Sequence, residues 1–352
     1  MTLRFGEPQG GGRSAPVASK VGGAFATLVG GVFGDPLLHV RLRYQKQSLL
    51  FDLGDTARLA ARAAHQVSAV FLSHAHIDHI GGFLWFLRSR IGHLETCKVF
   101  GPAETIKRIE GFIGGVTWDR IEENGPVFEV CELDNLRLRR ARLKPGKARV
   151  ELEDMPVTGG AILAEENFTV RAVVCDHHTP SVAYAFQSSR EINVRKEKLA
   201  GLGLAPGPWL GKLKKCIVAG TLDAGITLPD GVVRTAGELA EELVLVRPGN
   251  KLAYATDVAD TPENREKLIA LAEGAHTFFC EAGFLAKDSG KARATQHLTT
   301  LGAVEIARAA GVKRLAPFHF SKRYEHDPMP LYEEMLGAAG PLKILGVPVK
   351  NR

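Results

Sequence analysis

Three histidines and an aspartate fall within six residues in the stretch Ser73-His74-Ala75-His76-Ile77-Asp78-His79-Ile80-Gly81-Gly82. Each of those groups must be desolvated and given a partner if the stretch folds inward, so their grouping calls for a purpose. Neutral imidazole nitrogen and carboxylate oxygen are the donors that Zn²⁺ accepts in hydrolytic sites. On a tight loop, His74 and His76 can point at one ion and Asp78 with His79 at a neighbour. The plainer alternative is a polar loop whose histidines cap backbone groups. With 12 histidines among 352 residues, chance is a poor account of this spacing, and the metal reading is adopted.

Other polar residues stand where an apolar run ends: His177 after Val173-Val174-Cys175, Asp257 after 252–256, His319 after 315–318. Rigid strands offer residues in this way to a site built from the loops along one edge. His39, His65, His93, His276 and His326 lack ligand spacing and read as ordinary surface or boundary residues. Ser73 and Ser321 carry hydroxyls that can bond phosphate or cap their own loops. Cys280 has no neighbour that would activate a thiol and reads as a packed strand residue.

The elements that must position these groups alternate between strand and helix. Val40, Leu42 and Tyr44 alternate with Arg41, Arg43 and Gln45, and after a polar turn near Lys46 comes Ser48-Leu49-Leu50-Phe51-Asp52, a hairpin pattern. Residues 68–72 read as a short buried strand, and 169–175, 251–256, 276–280 and 312–318 as further strands. Helices are predicted at 262–273, opening on Thr261 and Pro262, and at 300–310, closing at Gly311. Residues 1–22, with Gly10-Gly11-Gly12, read as a flexible lead-in. The pattern is one mixed α/β domain with a long polar insertion.

Composition limits the alternatives. Hydrophobic residues make up 45% and charged residues 24% of the chain, which gives ample material for a core and excludes wholesale disorder. No apolar run approaches the length a bilayer requires. The N-terminus lacks a basic-then-apolar signal pattern, and five widely spaced cysteines without a Cys-x-x-Cys argue for reduced thiols, so a cytoplasmic location is expected. The net charge of +6 is unevenly distributed: Arg137 to Arg149 and Arg190 to Lys215 are basic runs. Each suits a polyanionic partner or, equally, a solvated surface.

His74-x-His76-x-Asp78-His79 followed by Gly-Gly resembles the signature of the metallo-β-lactamase superfamily. That resemblance implies an α/β fold, the αββα sandwich of two packed mixed sheets flanked by helices, with a metal site at one edge. Residues 50–55 look like the superfamily's first motif, whose Asp, here Asp52, supports the metal loop. Within the superfamily the chain is most similar to the tRNase Z (ribonuclease Z) family. Four stretches carry the likeness: Asp176-His177-His178-Thr179-Pro180 through Tyr184; 199–214 around Gly207-Pro208; Cys280-Glu281-Ala282-Gly283-Phe284 with Gln296-His297-Leu298-Thr299; and Phe318-His319-Phe320-Ser321-Lys322-Arg323-Tyr324. The register of the first selects His177 over His178, because adjacent strand residues face opposite sides. The sequence departs from the family in its opening, Val29 to Pro36, and in having Cys280 and Ala183 where the family has His and Gly. It also lacks a Gly-rich arm tip near 188–193, and 132–167 looks like extra material.

The resemblance implies two Zn²⁺ ions per subunit, with Mn²⁺ as the other candidate. One ion falls to His74, His76 and His177, the other to Asp78, His79 and His319, and Asp257 bridges them with a hydroxide between. It further implies Asp78, Glu281 and His297 as catalytic residues, His297 donating a proton to the leaving oxygen while Glu281 keeps it cationic. The segment 189–215 is then an arm that grips precursor tRNA around a Gly207-Pro208 turn, through Lys212 and Lys214, with Ser321 as a further substrate contact. The expected activity is removal of the 3′ trailer from precursor tRNA by a homodimer. A sister hydrolase of small phosphodiesters or sulfate esters, and a catalytically silent RNA-binding relative, are the competing readings. The intact ligand set argues against the last.

Overall fold

Nine strands follow one another in chain order across the first sheet of the computed structural model, which describes residues 16–348 except 44, 93, 122 and 123. They are β1 (Val17–Val21), β2 (Ala24–Leu28), β3 (Leu38–Leu42), β4 (Ser48–Phe51), β5 (Val67–Phe71), β6 (Cys97–Pro102), β7 (Phe128–Asp134), β8 (Arg137–Leu143) and β9 (Val150–Pro156). The outer pairs are antiparallel and the run from β4 to β7 is parallel. The predicted hairpin is β3–β4; its Tyr44, like His93 and residues 1–15, lies outside the described residues.

Residues 17–21 are not part of a flexible lead-in. Val17, Ser19 and Val21 face inward while Ala18 and Lys20 face out, the alternation of a half-buried strand. Pairing with β2 and a 2.8 Å bond between Ser19 Oγ and Thr277 Oγ1 hold the strand in place. His39, expected at a boundary, is buried on β3, and burial lowers its ring to a pKa of about 4. Much of the basic run 137–149 is ion-paired on or beside the sheet. Arg137 pairs with Asp134 and Asp154, Arg140 with Glu129, and Arg149 with Glu110 and Glu151. Of its two readings, the structure favours the surface one.

The second sheet contains β10 (Ala161–Ala164), β11 (Phe168–His177) and β12 (Thr179–Ser188). The chain then builds β13 (Arg190–Val194), β14 (Gly225–Thr227), β15 (Val233–Thr235) and β16 (Val244–Pro248) before returning with β17 (Lys251–Ala255), β18 (Thr277–Glu281), β19 (Arg314–Phe318) and β20 (Lys343–Ile344). The sheet order is β10-β11-β12-β17-β18-β19-β20, with β17 to β20 parallel. The two sheets meet through aromatic rings: Phe51 lies 5.8 Å from Tyr184 and 5.7 Å from Tyr254, and Phe71 is 5.4 Å from Tyr184. Burial of each such ring is worth about 1.5–3 kcal/mol. Helices Ala61–Gln66, Phe83–Ser89 and Thr105–Gly114 cover the outer face of the first sheet around Phe83, Phe86 and Phe128. Helices Pro262–Ala272, Thr300–Ala309 and Met329–Ala339 flank the second. This is the αββα sandwich. Among the described residues no helix is long and apolar enough to cross a membrane.

Residues 164–169 and 187–250 form a second compact unit. Its core is its own: Leu199, Trp209, Leu213 and Ile217 pack with Leu239 and Leu243. The segment 189–215 is thus one part of a larger folded unit and not a bare polar excursion, because apolar residues at helical spacing need the later helix Ala236–Leu243 to bury against. Gly207-Pro208 is not a loop turn: Gly207 is the N-cap and Pro208 the first residue of the helix Pro208–Val218, where a missing N–H costs nothing.

Candidate metal centre

The ends of β4, β5, β11, β17, β18 and β19 deliver Asp52, His74, His177, Asp257, Glu281 and His319 to one edge of the sandwich. Asp52, Asp257 and His319 all take left-handed backbone conformations, with φ of 58°, 53° and 55°. Asp and His are among the few non-glycine residues that tolerate this region, and such strain gathers at functional sites.

After β5 the chain forms a loop through His74 and His76 and then the short helix Ile77–Ile80 with Asp78 and His79. Two glycines let this segment lie against the loop after β4. A Cβ on Gly82 would stand 2.6 Å from the carbonyl oxygens of Leu53 and Gly54, and one on Gly54 would stand 2.2 Å from that of Asp78. Gly82, the second glycine after the histidine motif, is therefore a packing requirement. Asp52, fully buried, ties the segment down. Its Oδ1 accepts from the Ser73 amide at 2.6 Å, and its Oδ2 from Ser73 Oγ (2.9 Å), Tyr254 OH (2.7 Å) and His79 Nδ1 (3.0 Å). Ser73 is thus spent on fixing the loop.

Two groups of side chains converge in front of this support. His74, His76 and His177 bring one donor atom each within 4.8 Å of one another, and so do Asp78, His79 and His319. Asp257 lies between them. Its Oδ1 is 3.4 Å from His177 Nε2, while its Oδ2 is 3.0 Å from His79 Nε2 and 3.4 Å from His319 Nε2. The Nε2 atom of His74 is buried without a hydrogen bond, while that of His79 faces the carboxylates of Asp257 and Asp78. A buried polar atom left without a bond is costly, and a divalent cation is the partner that would satisfy His74 Nε2. The second ring nitrogens are already committed. His177 Nδ1 donates to the Gln296 carbonyl at 2.7 Å, and His79 Nδ1 donates to Asp52 at 3.0 Å, so each ring turns its Nε2 toward the centre.

The electrostatics agree. Burial lowers the His74 ring to about 3 and depresses His177, so both are neutral donors. Burial also opposes charge on His79, but Asp257 and Asp52 outweigh it and hold the ring well above its usual range. Asp78 resists burial through its bond to His79 and titrates near 2. Against burial, His319 and His79 keep Asp257 well below the ordinary carboxylate range. The carboxylates are thus charged and the His74 and His177 rings neutral, the forms that can ligate a cation, whereas the proton that the neighbouring carboxylates hold on His79 would be released on metal binding. His178 is exposed, but as the left-handed residue (φ 56°) that separates β11 from β12 and not through strand alternation.

Glu281 and His297 meet as the sequence predicts. Glu281 Oε2 is 2.7 Å from His297 Nδ1, and its Oε1 accepts from the Val258 amide at 2.6 Å. Burial alone would depress His297, yet the Glu281 carboxylate raises it to about 9. The ring lies 5.1 Å from His177 and 5.5 Å from His319, at the mouth of the centre. Burial pushes the Cys280 thiol well above its usual value, consistent with a packed strand residue. A cleft of about 250 Å³ opens beside the second triad, lined by Asp78, His297, His319 and Ser321. Phe33, Gly34, Asp35, Phe284 and Lys322 also line it, and none was singled out as a site residue from sequence. The dense Gly-Pro spacing of the 29–36 opening was the available signal. Gln296 contributes through its carbonyl, for which sequence gives no signal. Gly207, Pro208, Lys212 and Lys214 belong to the second compact unit, where Lys212 Nζ donates to the Gly225 carbonyl at 3.1 Å.

The metallo-β-lactamase superfamily pattern matches residues 35–184, and that of a β-lactamase superfamily domain matches residues 233–320. Over 302 residues the chain is 30% identical to Ribonuclease Z of Deinococcus radiodurans, spanning 83% of this chain and 86% of the relative. It is 28% identical to Ribonuclease Z of Methanothermobacter thermautotrophicus over 81% of each chain. Among solved structures, the metallo-β-lactamase fold protein YhfI from Bacillus subtilis aligns with a TM-score of 0.53 at 16% identity, covering 94% of this chain and 96% of that one. With the fold, the histidine motif and these relatives in agreement, the chain belongs to the ribonuclease Z family of the metallo-β-lactamase superfamily.

Proposed function

We propose that this protein is a metal-dependent endoribonuclease that removes the 3′ trailer from precursor tRNA. The observation that carries the chemistry is Asp257 facing both triads with separate oxygens. The relatives named Ribonuclease Z carry the substrate. His74, His76 and His177 would hold one Zn²⁺ and Asp78, His79 and His319 a second, with Asp257 available to both; Mn²⁺ accepts the same donors. When bound, such ions make water available as a nucleophile near neutral pH and neutralise charge on phosphate oxygens.

The chain's own residues do the rest. Asp78, ionised and partly exposed, presents an acceptor oxygen that orients the attacking water. His297, fixed through Nδ1 by Glu281, keeps a proton on Nε2 for the leaving 3′-oxygen. Ser321, on the cleft wall, donates its hydroxyl to a non-bridging phosphate oxygen. Lys212 and Lys214, on the helix that Gly207 and Pro208 begin, meet the RNA backbone. The enzyme acts in the cytoplasm, where its free cysteines stay reduced, and as a homodimer, as the family resemblance implies.

The test is incubation with a precursor tRNA bearing a 3′ trailer, with and without chelator, mapping any cut to the nucleotide. Chelator-sensitive cleavage just after the discriminator base, leaving a 3′-hydroxyl, is expected. Hydrolysis of bis(p-nitrophenyl) phosphate with no tRNA cut would refute the substrate assignment.

A further inference from the structure

His177 and Asp257 sit on strands that are not neighbours. In the second sheet β12 lies between β11 and β17, so their ends are roughly 9.5 Å apart at the usual strand spacing and no ladder joins them. Yet the ring of one and the carboxylate of the other must be held in contact. Asn264, in the first turn of the helix Pro262–Ala272 and only 2% exposed, spans this gap. Its Oδ1 accepts from the Asp176 amide at 3.0 Å, and its Nδ2 donates to the Asp176 carbonyl at 3.0 Å and to the Ala259 carbonyl at 2.9 Å. The Ala259 amide donates to the Asp176 carbonyl at 2.9 Å. Asp176 immediately precedes His177, and Ala259 lies two residues after Asp257. The side-chain orientation is unambiguous, since the amide nitrogen faces two carbonyls and the oxygen faces an N–H.

We propose that Asn264 is a positioning residue that sets His177 against Asp257, its carboxamide reinforcing the single backbone bond from Ala259 to Asp176 that crosses the end of β12. The inference rests on the assignment of His177 and Asp257 as metal ligands. Few residues can do this. Asp is isosteric but has no donor, Leu has neither group, and Gln is a methylene too long for a site packed this tightly. The loop geometry fixed here governs how well the shared carboxylate and the His177 ring present themselves together, and residues that support ligands in this way are worth roughly 10–100-fold in metal affinity.

The experiment is Asn264→Asp, which sets a carboxylate against two carbonyl oxygens while leaving volume unchanged. Zn²⁺ affinity is measured by competition with a chromogenic chelator, the visible spectrum of the Co²⁺-substituted protein is recorded, and kcat and KM on precursor tRNA are followed against added Zn²⁺. Expected are a roughly 10–100-fold loss of Zn²⁺ affinity, an altered Co²⁺ spectrum, and a reduced kcat at unchanged KM that excess Zn²⁺ restores. A folded variant with wild-type Zn²⁺ affinity and Co²⁺ spectrum overturns the proposal. If Asn264→Asp does not fold, Thr261→Ala is read instead. It removes the hydroxyl that accepts from the Asn264 amide at 3.2 Å and leaves the carboxamide in place. A smaller fall in Zn²⁺ affinity supports the proposal, and none overturns it. Wild-type protein that binds no Zn²⁺ would instead overturn the metal-centre reading.

Discussion

Asp52→Asn is the most informative single change in the support of the metal loop. The carboxylate takes one donor on Oδ1 and three on Oδ2. An amide nitrogen at Oδ2 would strand three donors, so it must turn to the Oδ1 side and face the Ser73 N–H. That leaves one buried amide unsatisfied, at about 1–3 kcal/mol. The three surviving bonds change from charge-assisted to neutral, each weaker by about 1 kcal/mol. The gross loss is therefore roughly 4–6 kcal/mol, offset by several kcal/mol because a buried charge no longer has to be desolvated. The net fold cost is about 2 kcal/mol, and His79 loses the carboxylate that orients it, which costs about 10–100-fold in metal affinity. The assay is Zn²⁺ competition on wild type and variant, with thermal melts of the chelated proteins. A variant that keeps wild-type Zn²⁺ affinity within twofold would refute the view that Asp52 holds His79 in its ligating orientation.

In chelated protein the Glu281–His297 pair should make stability depend on pH. The folded ring is raised to about 9 from an ordinary 6.5, so the contribution is fully present below pH 6.5 and is lost as pH rises through 9. Melts from pH 6 to 10 should show this loss in wild type and not in Glu281→Gln, which should also cut kcat on precursor tRNA by about 100-fold or more. Joining Ser188 to Asn250 by two glycines removes most of the second compact unit. These residues already share a 3.2 Å backbone bond, so the graft should fold, lose precursor tRNA cleavage and retain bis(p-nitrophenyl) phosphate hydrolysis; full tRNA cleavage would remove the binding role from that unit. Lys214→Glu with Lys215→Glu should weaken tRNA binding and shallow its salt dependence by about two units of slope, read from binding isotherms between 50 and 200 mM salt. An unchanged slope would place the phosphates elsewhere.

The metal centre was largely legible before folding. His74, His76, Asp78 and His79 come from one loop, and local spacing alone brings them together. His177, Asp257 and His319 were visible as polar residues closing apolar runs, because the site is built at one edge of the sheet, where buried strands give way to loops. Their expected assignment to particular ions, and the bridging role expected of Asp257, came with the family likeness; which Asp257 oxygen faces which histidine needed the fold. The strands and helices around the site follow hydrophobic period and cap chemistry. Thr261 accepts from the Asn264 amide at 3.2 Å as its position before Pro262 implies.

Elsewhere composition misled. Gly, Pro and Ser density suggested that residues 17–21 were loose, but a short alternating strand is stabilised by pairing with β2, a long-range term that no local window contains. Composition left the Arg137–Arg149 run open between a polyanionic partner and a solvated surface, because the cross-strand and neighbouring acids that pair with it are not adjacent in sequence. The basic insertion looked like an exposed arm because its core partners, Leu239 and Leu243, lie more than twenty residues downstream of Leu213. By itself the sequence determined the donor types, the local loop that carries four of them, and the class of metal chemistry, because these depend on residue identity and short-range spacing. Only the tertiary structure decided what ties the end of β11 to the end of β17 across β12, which ring nitrogens face the centre and which arginines are spent on ion pairs, because those depend on contacts between residues distant in sequence.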